Sequence, residues 1–200
     1  ITGDLIDSNR TDIWRALDFI DKIENTCPVY YIPGNHEGRY SGEAYFRKSL
    51  LERDVIVLED RCEIVDTTLG RINICGFIDP EFYRFSNSNK TTTPFRLDKI
   101  KTSQRFKLLL AHRPDLFSFY EKKGFDLILS GHAHGGQIRL PFIGGLFSPN
   151  QGFFPKCTKG IYTNNKSKML VSRGLGNSVF PIRLANKPEL VIINLSKENK

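Results

Sequence analysis

The residues of this sequence that could do chemistry gather where apolar runs stop. His132 and His134 lie in Gly131-His132-Ala133-His134-Gly135-Gly136-Gln137, directly after Phe125–Ser130, a run with the length and character of a buried strand. Neutral imidazole is a common ligand for divalent transition metals. Gly131, Gly135 and Gly136 allow a bend that turns both rings toward one cavity. The chain's other two histidines are placed alike. His36 sits in Pro33-Gly34-Asn35-His36-Glu37-Gly38, after Pro28–Ile32, and His112 follows Lys107–Ala111. Asp4 follows Gly3 at the end of an apolar start, and Asn35 occupies the equivalent position in its own segment. Open α/β sheets place their ligands at such strand ends. Carboxylate, amide oxygen and imidazole together form the ligand mix of a site for Mn, Fe, Zn or a similar ion. The competing reading leaves the histidines as loop residues and Asp4 as a turn or cap carboxylate, although Asp7 and Ser8 are better placed to cap a helix.

The elements that must position these groups follow from periodicity. Ile13, Trp14, Leu17, Ile20 and Ile23 recur at helical spacing, which predicts an amphipathic helix over about residues 11–25. A second helix is expected over 43–52. Strands are expected at Pro28–Ile32, Val55–Leu58, Cys62–Asp66, Arg71–Phe77, Lys107–Ala111, Phe125–Ser130, Met169–Ser172 and Leu190–Leu195, with Cys62–Asp66 and Arg71–Phe77 forming a hairpin. Pro114 suits the first turn of a helix whose apolar side is Leu116, Phe117, Phe119 and Tyr120. Asp79–Thr93 reads as a polar, irregular loop or lid, and Ser196–Lys200 as a polar tail.

Residues 138–155 are apolar but too rich in glycine and proline for a helix. They form either a loop packed on the core or an exposed patch that contacts lipid. Hydrophobic content of 40% and charged content of 26% describe an ordinary globular protein of one domain, and no apolar run is long enough to span a membrane. A net charge of +7 favours anionic partners. The densest basic stretch, Arg96–Lys107, lacks the interleaved aromatics of an RNA-binding surface, which argues against nucleic acid. Cys27, Cys62, Cys75 and Cys157 show no CxxC spacing. Cys62 and Cys75 could face each other across the hairpin, but reduced core cysteines are the expectation.

Taken in order, GD-x-x-D at Gly3–Asp7, GNHE at Gly34–Glu37, His112 and GHAH at 131–134 resemble the calcineurin-like metallophosphoesterase superfamily over nearly the whole chain. The run HAHGGQIRLPFIGG at 132–145 resembles its bacterial membrane-associated phosphodiesterase branch. The resemblance implies an α/β fold, a four-layer αββα sandwich of two mixed sheets flanked by helices. It implies two divalent metals, Mn, Fe or Zn, and attack on a phosphate ester by a metal-bridging hydroxide. By position, Asp4 would bridge both metals, with Asn35, His112 and His132 completing one site and His134 serving the other. His36 and Asn35 would contact substrate, His36 orienting the phosphate or protonating the leaving oxygen, and Asp7 would support His36. The family opens with a strand carrying D-x-H, which is not found here, so the expectation is a single domain over 1–200, truncated at its N-terminus and lacking its first strand. One metal per chain is then expected to bind more tightly than two.

The leading expectation is a phosphohydrolase or phosphodiesterase acting on a lipid-linked or cell-envelope phosphate ester, peripheral to a membrane or cytoplasmic. The alternatives are a nuclease or cyclic-nucleotide phosphodiesterase of the same superfamily, and a non-catalytic metal-binding or scaffold protein.

Overall fold

The computed structural model describes residues 1–10, 12–85, 105–177 and 182–197. In chain order these hold α1 (Ile13–Ile23), β1 (Tyr30–Tyr31), α2 (Asn35–Arg39), α3 (Glu43–Leu51), β2 (Ile56–Val57), β3 (Cys62–Thr67), β4 (Gly70–Phe77) and α4 (Phe82–Phe85). Then follow β5 (Lys107–Ala111), α5 (Phe117–Lys122), β6 (Leu127–Ser130), β7 (Arg139–Leu140), β8 (Gly144–Gly145), β9 (Phe147–Ser148), β10 (Gly152–Phe153), β11 (Gly160–Asn164) and β12 (Ser167–Val171).

Six strands form the main sheet in the order β11-β12-β6-β5-β4-β3. β12, β6, β5 and β4 run parallel, and the edge strands β11 and β3 are antiparallel to their neighbours. The apolar runs of β5 and β6 reflect burial on both faces. Leu109, Ala111 and Ile128 pack with Phe117, Tyr120 and Phe125 on one side. Leu110, Leu108 and Leu129 pack with Ile32 and Leu58 on the other. β1 and β2 pair in parallel as a second, small sheet. Its residues Tyr31 and Val57 turn away from the main sheet, toward Leu17 and Ile20 of α1 and Phe46 and Leu50 of α3. The layers are therefore helices, small sheet, large sheet, helix. Among the described residues the small sheet is purely parallel rather than mixed. Ile1 runs beside it, its carbonyl accepting the Ile32 N–H at 3.2 Å. Fully buried side chains such as Ile20 and Leu109 each stabilise the fold by about 2 kcal/mol.

Several local expectations change. Helix α1 is capped by Asp12, whose carboxylate accepts the Trp14 N–H, and not by Asp7 or Ser8. Its buried stripe is Ile13, Ala16, Leu17 and Ile20, which leaves Trp14 exposed, because Trp14 falls off that stripe. Pro114 opens a 3-10 turn that leads into α5. Cys62 and Cys75 are not reduced: the β3–β4 register places them directly opposite, with Cα atoms 4.0 Å apart, and they form a disulfide. Leu190–Leu195 forms no strand, because among the described residues no neighbouring backbone offers its peptide groups partners, and Leu190 and Ile192 are exposed. β11 is an additional strand. The expected loop from Asp79 begins with the short helix α4, and its remainder to Thr93 lies outside the described residues, as does most of the basic stretch from Arg96. Residues 138–155 fold as two small antiparallel pairs, β7–β8 and β9–β10.

A candidate metal centre at the carboxyl ends of the strands

The connection after β1, the ends of β5 and β6, and the loop containing Asp4 meet at one edge of the sandwich. After β1 the chain turns into α2, so Asn35, His36 and Glu37 occupy that helix's first turn. Glu37 closes the turn, its carboxylate accepting the Gly34 N–H at 2.7 Å. The same carboxylate accepts the N–H groups of Asp4 at 3.0 Å, Leu5 at 2.7 Å and Ile6 at 3.2 Å. Glu37 is 1% exposed and thus pins the Asp4 loop to α2. Burial, followed by the charge of Asp4, pushes its pKa up to about 7, against the backbone N–H bonds that favour the anion. Gly34 must be glycine, because a Cβ there would overlap the Asp4 carboxylate.

His112 stands at the centre of the cluster and is buried. Its Nε2 lies 3.0 Å from Asp4 Oδ2, 3.1 Å from Asn35 Oδ1 and 2.8 Å from His132 Nδ1. Its Nδ1 lies 2.7 Å from the Thr2 carbonyl, which can only accept, so Nδ1 carries the hydrogen and Nε2 presents a lone pair. His132 is arranged likewise. Its Nε2 donates to Asn150 Oδ1 at 2.7 Å, which turns the lone pair of Nδ1 inward. Two ring nitrogens, a carboxylate oxygen and an amide oxygen thus converge with no hydrogen among them in the neutral state. A shared cation resolves this. Ligands about 2.1 Å from one ion in a tetrahedral shell sit about 3.4 Å apart. Metal-bound histidines also donate their outer N–H to a carbonyl, as these do. Asp4, His112 and His132 offer ligand atoms all within 4.8 Å of one another. The donor set therefore fits a divalent ion.

Without a cation, a proton substitutes. Burial alone would lower the pKa of His112, but the charge and hydrogen bond of Asp4 raise it to about 9. Burial alone would raise Asp4, yet His112, His36 and His132 hold it far below the ordinary carboxylate range. Burial, then the charge of His112, lowers His132 to about 3. Burial lowers His134 to about 4, with Arg183 contributing.

His36 faces the same cavity. Its Nδ1 lies 2.8 Å from Asp7 Oδ1 and 3.0 Å from Ser8 Oγ, and its backbone N–H donates to Asp4 Oδ1 at 3.0 Å. Asp7 and Ser8 thus serve the histidine rather than a helix end. His134 lines the cavity as well but lies outside the cluster of Asp4, His112 and His132. Beneath His112, Arg113 makes a buried two-point pair with Asp79 at 2.6 and 3.1 Å. Arg113 also meets Glu81 at 3.1 Å, and Glu81 holds Arg39 at 2.8 Å at the cavity wall. The cavity measures about 570 Å³. Asp4, His36 and Arg39 supply polar lining, and Ile138, Leu146, Phe147 and Phe153 apolar lining.

All the expected site residues therefore lie at this edge. Glu37, Asn150 and the Asp79–Arg113 pair went unassigned in the sequence. Glu37 stands inside the GNHE motif, and its type was its only signal; Asn150 is legible only from contact.

The profile of the calcineurin-like phosphoesterase family matches residues 1–136. The chain belongs to that family. Calcineurin-like phosphoesterases are metal-dependent hydrolases of phosphate esters, in keeping with the donor set. Among characterised and uncharacterised relatives, the metallophosphoesterase YkuE of Bacillus subtilis is 29% identical over 99% of this chain and 67% of its own length. A metallophosphoesterase of Helicobacter pylori strain J99 is 31% identical over the whole chain but only 51% of its own length. The phosphodiesterase YaeI of Escherichia coli is 34% identical over 44% of the chain and 32% of its own length. The chain thus spans from half to two thirds of the length of the relatives it matches end to end.

Proposed function

We propose that this chain, acting as one domain over 1–200, hydrolyses phosphate esters, with an apolar, lipid-linked or cell-envelope phosphodiester as substrate. The observation that carries the hydrolytic reading is the convergence of Asp4, Asn35, His112 and His132 through proton-free acceptor atoms. These four would hold one divalent ion, Mn, Fe or Zn. A second ion would share Asp4 and take His134, with fewer ligands from this chain. Divalent ions supply water of lowered pKa and offset the charge that builds at phosphorus.

The chain's own contribution is orientation and proton transfer. Asp7 accepts the Nδ1 hydrogen of His36 and so directs Nε2 into the cavity, 4.0 Å from Asp4 Oδ2. From there His36 contacts the phosphate and protonates the leaving oxygen, and Asn35 borders the same phosphate position.

The lipid reading rests on the apolar lining. Ile138, Leu146, Phe147 and Phe153 line the cavity, and Phe142, Ile143 and Phe154, close to them in sequence, are exposed. Monomeric proteins seldom leave such a patch uncovered. Arg139 and Lys156 flank it and suit acidic headgroups. Among the described residues lining the cavity, Arg39 is the one lysine or arginine, which gives a nucleic-acid backbone little to bind. No helix among the described residues is long and apolar enough to cross a membrane.

The test is hydrolysis of bis-p-nitrophenyl phosphate with Mn, alongside metal analysis after dialysis. Close to one tightly held equivalent is expected. His36→Ala should lower turnover about 100-fold or more and leave metal content intact. Loss of metal in His36→Ala, or unchanged turnover, would overturn its role.

A further inference from the structure

Residues 182–189 lie beyond the stretch that matches the family profile, yet they cross the turn that carries both candidate ligands of the GHAH motif. The Arg139 N–H donates to the Leu184 carbonyl at 3.0 Å, and the Leu184 N–H to the Gln137 carbonyl at 3.3 Å. Two residues further on, Asn186 is 2% exposed. Its Nδ2 donates to the His134 carbonyl at 2.6 Å and to the Gln137 carbonyl at 3.0 Å. Those two carbonyls bracket the turn.

Between them the backbone is left-handed at every residue, with φ of 45° at His134, 65° at Gly135, 79° at Gly136 and 56° at Gln137. His132 shares this conformation, with φ of 60°. Side-chain-bearing residues hold it only where their surroundings over-determine them. A primary amide has two hydrogens on one nitrogen and can hold two carbonyls at once, which a hydroxyl cannot. The other end of the amide meets the turn too. Asn186 Oδ1 is buried without a hydrogen-bond partner among the described residues, and a Cβ on Gly135 would overlap it.

We infer that Asn186 is a positioning residue, whose side-chain amide clamps the 134–137 turn so that His132 and His134 face the metal cavity. The inference rests on the reading that these histidines bind a divalent ion. It places part of the metal site's support in the C-terminal strap, outside the motifs that carry the ligands. Groups that orient metal ligands typically change affinity by about 10–100-fold when removed.

The experiment is Mn titration of the full 200-residue chain by electron paramagnetic resonance, with folding checked by circular dichroism. Asn186→Ala should weaken Mn binding about 10–100-fold. Glu189→Gln, which breaks the strap's pair with Arg173 at 2.7 Å but leaves Asn186 in place, should change it less than about twofold. Gly135→Ala should weaken binding by displacing Asn186, and the double variant Gly135→Ala/Asn186→Ala should bind no more weakly than Gly135→Ala alone. If Asn186→Ala does not fold, Asn186→Ser carries the same cycle, because it removes one of the two donors. Equal Mn affinity in wild type and the Asn186 variant, or additive losses in the double variant, would overturn the clamp. Absence of Mn binding by the wild type would instead overturn the metal reading itself, a result that the variants do not affect.

Discussion

The two walls of the cavity are built on opposite terms. On the polar wall the functional side chains are held from outside by fixed partners: Thr2 and Asn150 hold the outer nitrogens of His112 and His132, Asp7 holds His36, and Glu37 holds the loop that carries Asp4. On the apolar wall, Phe153 is 71% exposed and Phe142 fully so, and their aromatic contacts are few, Phe147 with Phe153 at 5.5 Å being the clear one. Buried polar groups are costly unless satisfied, so a polar wall of this kind is a structural commitment that the fold cannot easily relax. Exposed aromatics cost the fold little and stabilise it little, so removing them would test the proposed lipid contact with little change to the fold. The difference teaches where to expect stability effects and where to expect binding effects.

The comparison breaks most sharply at His112. Replacing it with alanine removes the nitrogen at the centre of the cluster, and Mn affinity should fall more than about 100-fold, beyond what loss of an orienting group causes. Equilibrium dialysis against Mn checks this, and retention of one tight equivalent would mean that the metal sits elsewhere. A smaller effect is expected at Glu37. Glu37→Gln keeps the size but puts an NH2 group where one carboxylate oxygen accepts two backbone N–H groups, and it should lower stability by about 2 kcal/mol. A urea melt with an unchanged slope and a lower midpoint is the expected outcome, whereas an unchanged midpoint would show that the Asp4 loop is held by other contacts. The smallest effect on the fold is expected from Phe142→Ser/Phe147→Ser, about 1 kcal/mol, because Phe142 is fully exposed and Phe147 gives up only a partly buried contact with Phe153. The same variant should lose most of its co-sedimentation with acidic phospholipid vesicles. Equal sedimentation of variant and wild type, or a collapse of the melting temperature, would make the apolar wall another piece of core.

The legible parts of the sequence were those set by local periodicity and by residue type at strand ends. The alternation of Lys107–Ala111 and Phe125–Ser130 with histidines behind them identified both the sheet and the edge where the site stands. Trp14 was misplaced because a helical stripe only about 100° wide cannot be resolved from spacing alone when two neighbouring residues are both apolar. Leu190–Leu195 read as a strand because composition reports what a segment can bury, not whether another strand lies beside it. The reduced state expected of Cys62 and Cys75 failed for a related reason: the hairpin was visible, but whether its register set the two directly opposite was not.

By itself, then, the sequence determined the ligand types, their order along the chain and the strand ends that carry them, because those depend on neighbours within a few residues. The tertiary structure alone decided which nitrogen of each histidine faces inward, since that is set by a carbonyl 110 residues away for His112 and an amide 18 residues away for His132. It also decided that Glu37 joins two loops and that Asn186 reaches back 52 residues to the His134 carbonyl. Hydrogen bonds of that reach form only after the layers have packed, when burial removes water as the competing partner.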